Sequence, residues 1–215
     1  MRLKYKSYWR KSGLKGKWRD IFLERLSNHN PRSVLEIGVF CGVTARNTCD
    51  FLHKTNGNNF NYIGIDLFGI NQSNNKDEIE PTFLKDQKFS NPLKNIYYNY
   101  ILKENLNSIE SVQKLLQEYS KNIKLIAGDT NKVLKEIDLQ KIDFVFLDGG
   151  HSYETVTNDL SILYESMKDQ KKIILCDDYG KESHILKVEK AVNDFTQKKN
   201  LKLNLIENRF AEIIT

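Results

Sequence analysis

Short apolar runs recur along the chain, with longer amphipathic stretches between them. SVLEIG (33–38), YIGIDLF (62–68), IKLIAGD (123–129), DFVFLDG (143–149) and KIILCDD (172–178) are rich in Ile, Val, Leu and Phe at consecutive positions. A strand with one face in water alternates apolar and polar residues, whereas one covered on both faces does not. These five runs therefore predict parallel strands in a sheet covered on both sides.

The intervening segments have helical spacing. Residues 43–54 predict a helix after the first strand, and Asn107 with Glu110 has the spacing of a capping box ahead of IESVQKLLQEY. SYETVTNDLSILYESM and ESHILKVEKAVNDFTQ predict helices after the fourth and fifth strands. Repeated strand-helix units imply an α/β fold with right-handed crossovers. Near the C-terminus, LKLNLIE and FAEIIT flank only Asn208 and Arg209, which predicts an antiparallel hairpin. The expected fold is Rossmann-like and doubly wound, a mostly parallel seven-stranded sheet ending in that hairpin. A chain of 215 residues suits one domain, residues 1–215. Residues 69–106, with NQSNN and NIYYNY, form a polar insertion that suits a lid or hides short helices.

Charge changes the picture at one place. The net charge of +5 is modest, but eight Lys/Arg precede the first acid, Asp20. Such an arm (residues 1–30) can meet an anionic partner, or be a solvated leader whose Tyr5, Tyr8, Trp9 and Trp18 pack on the domain or on a second copy in a homodimer. Charge runs are usually solvated faces, which favours the leader. No apolar run reaches the length of a membrane span, and the basic N-terminus lacks the apolar stretch of a signal peptide, so a cytoplasmic protein is expected. Cys41, Cys49 and Cys176 have no CxxC spacing and predict neither a disulfide framework nor a zinc site.

In an open α/β sheet, ligands bind outside the carboxyl ends of the strands. Here those ends carry Glu36, Asp66, Asp129, Asp148 and the pair Asp177-Asp178. Charged residues are rarely buried without partners. Any one of these acids could be a helix cap, but a row of them on one edge points to a site. The first turn, LEIGVFCGVT, has Gly38 for a sharp turn and Gly42 for close approach of a ligand or helix. Phe40 stands where a dinucleotide fingerprint would have its second glycine, which argues against a pyrophosphate and against nicotinamide redox chemistry. Glu36 suits a cationic or hydroxyl-bearing ligand, and Asp66 suits ribose hydroxyls. His53 and His184 fall in expected helices as surface or packing residues, and His29 has no nameable partner.

VLEIGVFCG, YIGIDLF, LIAGDT and FVFLDGGHSYE, in this order, resemble the class I S-adenosylmethionine-dependent methyltransferases over roughly residues 33–215. That resemblance implies that Glu36 organises the methionine end of the cofactor, that Gly38 and Gly42 shape the turn, that Asp66 holds the ribose and that Asp129 lies near the adenine. DGGHSYE followed by CDDYG is similar to the metal-dependent O-methyltransferases, especially those acting on sugar hydroxyls. By that resemblance Asp148, Asp177 and Asp178 hold a divalent cation, Mg²⁺ first among them, and His151 is the general base. The acceptor implied is a small molecule or glycan. The proline-glycine-glycine turn usual before the fifth strand is replaced by MKDQKK.

Two other classes compete. A nucleic-acid methyltransferase would fit the basic arm, but enzymes that methylate base amino groups often carry an Asn/Asp-Pro-Pro-Tyr/Phe turn where DGGH stands here. A non-catalytic cofactor-binding protein of the same fold would have no need of the proposed metal acids and base.

Overall fold

The computed structural model describes residues 14–68, 92–97, 101, 107–168, 170–180 and 186–215. The first part of the basic arm, with Tyr5, Tyr8 and Trp9, most of the 69–106 insertion and His184 lie outside the described residues.

Helix α1 (Lys17–His29) buries Phe22 and Leu26, four residues apart on one face. It stops where Asn30 takes a left-handed φ of 44° and returns its N–H to the Leu26 carbonyl at 2.8 Å. The described elements then run β1 (Ser33–Ile37), α2 (Val43–Asn56), β2 (Asn61–Asp66), α3 (Pro92–Ile96), α4 (Ile109–Leu115), β3 (Ile123–Ala127), α5 (Thr130–Val133), β4 (Phe144–Leu147), α6 (Tyr153–Met167), β5 (Ile173–Cys176), α7 (Leu186–Lys199), β6 (Leu203–Ile206) and β7 (Phe210–Ile214). Ser108, not Asn107, caps α4; its side chain accepts from Ser111 N–H at 3.2 Å, so the expected capping-box spacing is displaced by one residue. Ser152 caps α6 through Thr155 N–H at 3.1 Å.

The sheet order is β3-β2-β1-β4-β5-β7-β6. Strands β1 to β5 pair in parallel, and β7 runs antiparallel to both β5 and β6. The seven-stranded sheet and its C-terminal hairpin are as the sequence predicts. The order reverses between β1 and β4, the crevice where ligands bind in this architecture.

Strands β1, β4 and β5 are buried at every position. β3 lies at the edge and leaves Lys124 exposed, so its apolar run covers one face better than the other. Successive side chains point to opposite faces. Leu35, Ile37, Val145, Leu147 and Ile174 meet α6 and α7 through Leu160, Leu163, Val192 and Phe195. Val34, Phe144, Phe146 and Leu175 meet Phe22, Leu26, Cys49 and Leu52 on the other face. All three cysteines are free and buried. Among the described residues, no helix is long and apolar enough to cross a membrane.

Phe146 and Phe22, with ring centroids 4.7 Å apart, fasten α1 to the middle of the sheet. Phe146→Ala should lower unfolding free energy by about 3–5 kcal/mol. Denaturant unfolding checks this; a loss under about 1 kcal/mol would mean that the site repacks.

Candidate active site

Glu36 sits inside β1, 1% exposed. Its Oε2 accepts a hydrogen bond from the Tyr62 hydroxyl on β2 at 2.8 Å. Its Oε1 is buried and has no partner among the described residues. Burial pushes the Glu36 carboxyl up to about 8, with Asp66 adding repulsion and the Tyr62 bond opposing.

The turn after β1 is held by a different acid. Asp66, last in β2, accepts from Phe40 N–H at 2.7 Å and from Phe68 N–H at 2.9 Å. Both phenylalanines have left-handed φ, 50° and 48°. Phe40 therefore bends as a glycine would, and the Asp66 bond helps to offset the steric cost. Asp66 thus holds the backbone of the turn after β1 as well as that after β2.

The two glycines work differently from one another. A Cβ on Gly38 (φ 94°) would lie 1.9 Å from the carbonyl oxygen of Asp148, so the end of β1 touches the end of β4 there. A bulky side chain at Gly38 would part these strands before meeting any cofactor. A Cβ on Gly42 would lie 2.9 Å from Val112 Cγ1. The close approach at Gly42 is that of helix α4. Asp129 caps α5, accepting from the backbone N–H and side-chain amide of Asn131 at 2.9 and 2.8 Å.

The ends of β4 and β5 meet. Asp148, Gly149, Gly150, His151, Asp177 and Asp178 line one small pocket with Leu147, Val156, Cys176 and Val188. The backbone N–H of Asp148 is fixed to the Ile37 carbonyl at 2.8 Å. Its carboxyl is pushed well above the usual range, first by burial and then by Asp177, Asp178 and Glu36. Asp178 adopts a left-handed φ of 56° and its Oδ2 lies 3.2 Å from His151 Nε2. Asp177, 2% exposed, is clasped by Arg209: Nε to Oδ1 at 2.6 Å and Nη2 to Oδ2 at 2.7 Å. Losing one partner of such a pair leaves a buried charge, at a cost of about 3–5 kcal/mol.

Two residues here escaped the sequence reading, Tyr62 and Arg209. Tyr62 carried a signal, a hydroxyl in an apolar strand at the parity of Glu36. Arg209 carried only its place in a hairpin turn. His29, without a nameable partner in the sequence, pairs with buried Glu212 at 2.9 Å.

A family model described as a methyltransferase domain matches residues 35–179. The chain belongs to the methyltransferase family. It is an S-adenosylmethionine-dependent methyltransferase. Solved structures share its fold. An O-methyltransferase from Bacillus cereus in complex with S-adenosylhomocysteine gives a TM-score of 0.60 at 9% identity, over 99% of this chain and 87% of that one. The O-methyltransferase NovP gives 0.56 at 16%, over 91% and 76%. CalS11, a TDP-rhamnose 3'-O-methyltransferase of calicheamicin biosynthesis, gives 0.56 at 15%, over 90% and 77%. No curated protein matches this methyltransferase.

The residues present fit the cofactor. Glu36 Oε1 is a buried acceptor with no partner among the described residues, two residues before Gly38, and the methionine ammonium of S-adenosylmethionine would be a suitable donor. They fit a divalent cation more narrowly. Among the described residues no group of three or more His, Cys, Asp or Glu is arranged to hold a metal ion. Two carboxylates with waters nonetheless suffice for Mg²⁺, and no described side chain donates a hydrogen bond to the Asp148 carboxyl.

Glu36 titrates near 8 in the free methyltransferase and is mostly protonated at neutral pH. An ammonium seated on it favours the carboxylate. Cofactor binding at about pH 7 should therefore release close to one proton, and affinity should rise about tenfold per pH unit toward pH 8. Calorimetry in buffers of different ionisation enthalpy reads both; pH-independent affinity would remove Glu36 from the ammonium. Because folding raises this pKa, the folded chain binds more protons than the unfolded one between the ordinary carboxyl range and about 8. Stability of the free protein should fall as pH rises through that window.

Proposed function

We propose that this methyltransferase transfers a methyl group to a hydroxyl of a sugar, glycan or other small molecule, with Mg²⁺ or another divalent cation at the carboxyl ends of β4 and β5. The observation that carries the reading is the convergence of Asp148, Asp178 and His151 on one pocket beside the first-strand turn.

S-adenosylmethionine, when bound, supplies an electrophilic methyl group on a sulfonium. A divalent cation, when bound to Asp148 and Asp178, would lower the cost of an alkoxide on the acceptor oxygen. The remaining work falls to the chain. Glu36 holds the ammonium end, and the Asp66-braced turn keeps Phe40 folded back around it. Gly149 and Gly150 leave space beside Asp148 for the acceptor. With His151 Nε2 donating to Asp178, Nδ1 keeps its lone pair and receives the acceptor's hydroxyl proton. His151 is 43% exposed, so that proton can pass to solvent.

Charge bears on the acceptor. With a divalent cation in place, its charge and that of Arg209 would balance Asp148, Asp177 and Asp178, and a near-neutral pocket suits a neutral polyol. The sugar acceptor of the TDP-rhamnose enzyme sharing the fold supports the same class.

His151→Ala should lower turnover by about 10²–10⁴-fold with cofactor affinity nearly unchanged. A loss below about tenfold would leave His151 as a helix-entry residue. Exhaustive chelation should abolish turnover of a sugar or polyol acceptor and spare cofactor binding; activity that survives it removes the metal.

A further inference from the structure

We propose that Arg209 is a built-in cation that takes Asp177 out of metal coordination, so that the site's metal-binding acids are Asp148 and Asp178 alone. The inference rests on the divalent-cation reading above and departs from the three-acid set that the family resemblance implies.

The accounting of lone pairs is direct. An ionised carboxylate offers about four acceptor positions. Asp177 Oδ1 accepts from Arg209 Nε at 2.6 Å and from the backbone N–H of Asp178 at 2.8 Å. Its Oδ2 accepts from Arg209 Nη2 at 2.7 Å. Three positions are filled, and at 2% exposure the side chain has little room to turn toward a cation. The fork geometry is the one in which arginine binds carboxylate most strongly, and arginine does not give up its proton.

Arg209 is also held from behind. Its turn has Glu207 and Asn208 at left-handed φ, 52° and 54°. Its N–H donates to the Ile206 carbonyl at 3.1 Å, and its own carbonyl accepts from Tyr179 N–H at 2.8 Å, one residue beyond the acid pair. Its guanidinium lies 5.3 Å from the Trp18 ring centroid and 5.6 Å from that of Phe210. The group is set in place by α1, by the hairpin and by the β5 loop together. It does not come from β4 or β5, so no inspection of DGGH and CDDYG would find it. Its positive charge stands where a third ligand would otherwise meet the metal, and it weakens the site for any divalent cation.

Mn²⁺ binding to the full chain, followed by the electron-spin resonance of free Mn²⁺, tests this without turnover. The deciding variant is Asp177→Asn with Arg209→Gln, which removes both charges and lets two amides pair. Wild type should bind Mn²⁺, and the double variant should match it within about threefold, the scatter of uncoupled sites. Asp148→Asn should abolish binding; retained binding would overturn the assignment. Arg209→Met alone should tighten binding by at least about tenfold, because a third carboxylate is released. Should that variant not fold, Arg209→Lys, which cannot fork, should tighten it in the same direction. If the double variant weakens binding by about 10–100-fold, Asp177 is a ligand and the inference fails while the metal reading stands. If wild type binds nothing but the Arg209 variant does, the two-acid set fails together with the metal reading, and Arg209 is left only as the group that withholds Asp177. If neither binds, both fail.

Discussion

Carboxylates brought together in a poorly hydrated place raise one another's energy, and the carboxyl end of this sheet is arranged around that repulsion. Burial lifts Asp148 out of its usual range, and Asp177, Asp178 and Glu36 lift it further. Each acid is made tolerable in its own way. Glu36 shares a proton-rich contact with Tyr62, Asp66 collects backbone N–H groups, Asp129 caps a helix and Asp177 lies in the fork of Arg209. Asp148 has little local compensation: among its largest influences only the Arg209 guanidinium opposes the burial and the neighbouring acids.

β1, β4 and β5 are buried at all positions. β4 and β5 are wholly apolar, and Asp148, Asp177 and Asp178 stand just past their ends, while β1 keeps Glu36 inside only with Tyr62 as partner. The left-handed turn of Asp178 then points its side chain toward His151 across the gap between two strands. Backbone strain and charge repulsion coincide at one edge, as is expected where a site is held ready for a ligand.

Much of this was legible in the sequence, and the reason is periodicity. Consecutive apolar residues identified the buried strands, and the abrupt change to Asp at their ends located the site edge. The hairpin followed from two runs separated by Asn208 and Arg209. What stayed hidden were cross-strand partnerships. That Gly38 makes room for the Asp148 carbonyl, or that Gly42 makes room for Val112, depends on which elements are neighbours in space. The same holds for Tyr62 reaching Glu36 and for His29 reaching Glu212. Asp66 and Asp129 show the opposite effect. The acids were visible, yet their hydrogen bonds to nearby backbone N–H groups depend on loop conformations that pattern does not encode.

The antiparallel strand β7 lies between β5 and β6, and it is the last strand of the sheet to be synthesised. A growing chain that has reached residue 200 already holds every acid of the site but neither Arg209 nor the neighbour that β5 requires. Until residues 209–214 leave the ribosome, β5 is an open edge beside an unneutralised carboxylate pair. The parallel half of the molecule can collapse earlier, but the β5 edge is covered only once β7 has been made. A chain made only as far as β6 therefore holds the Asp66-braced turn before Arg209 can reach Asp177.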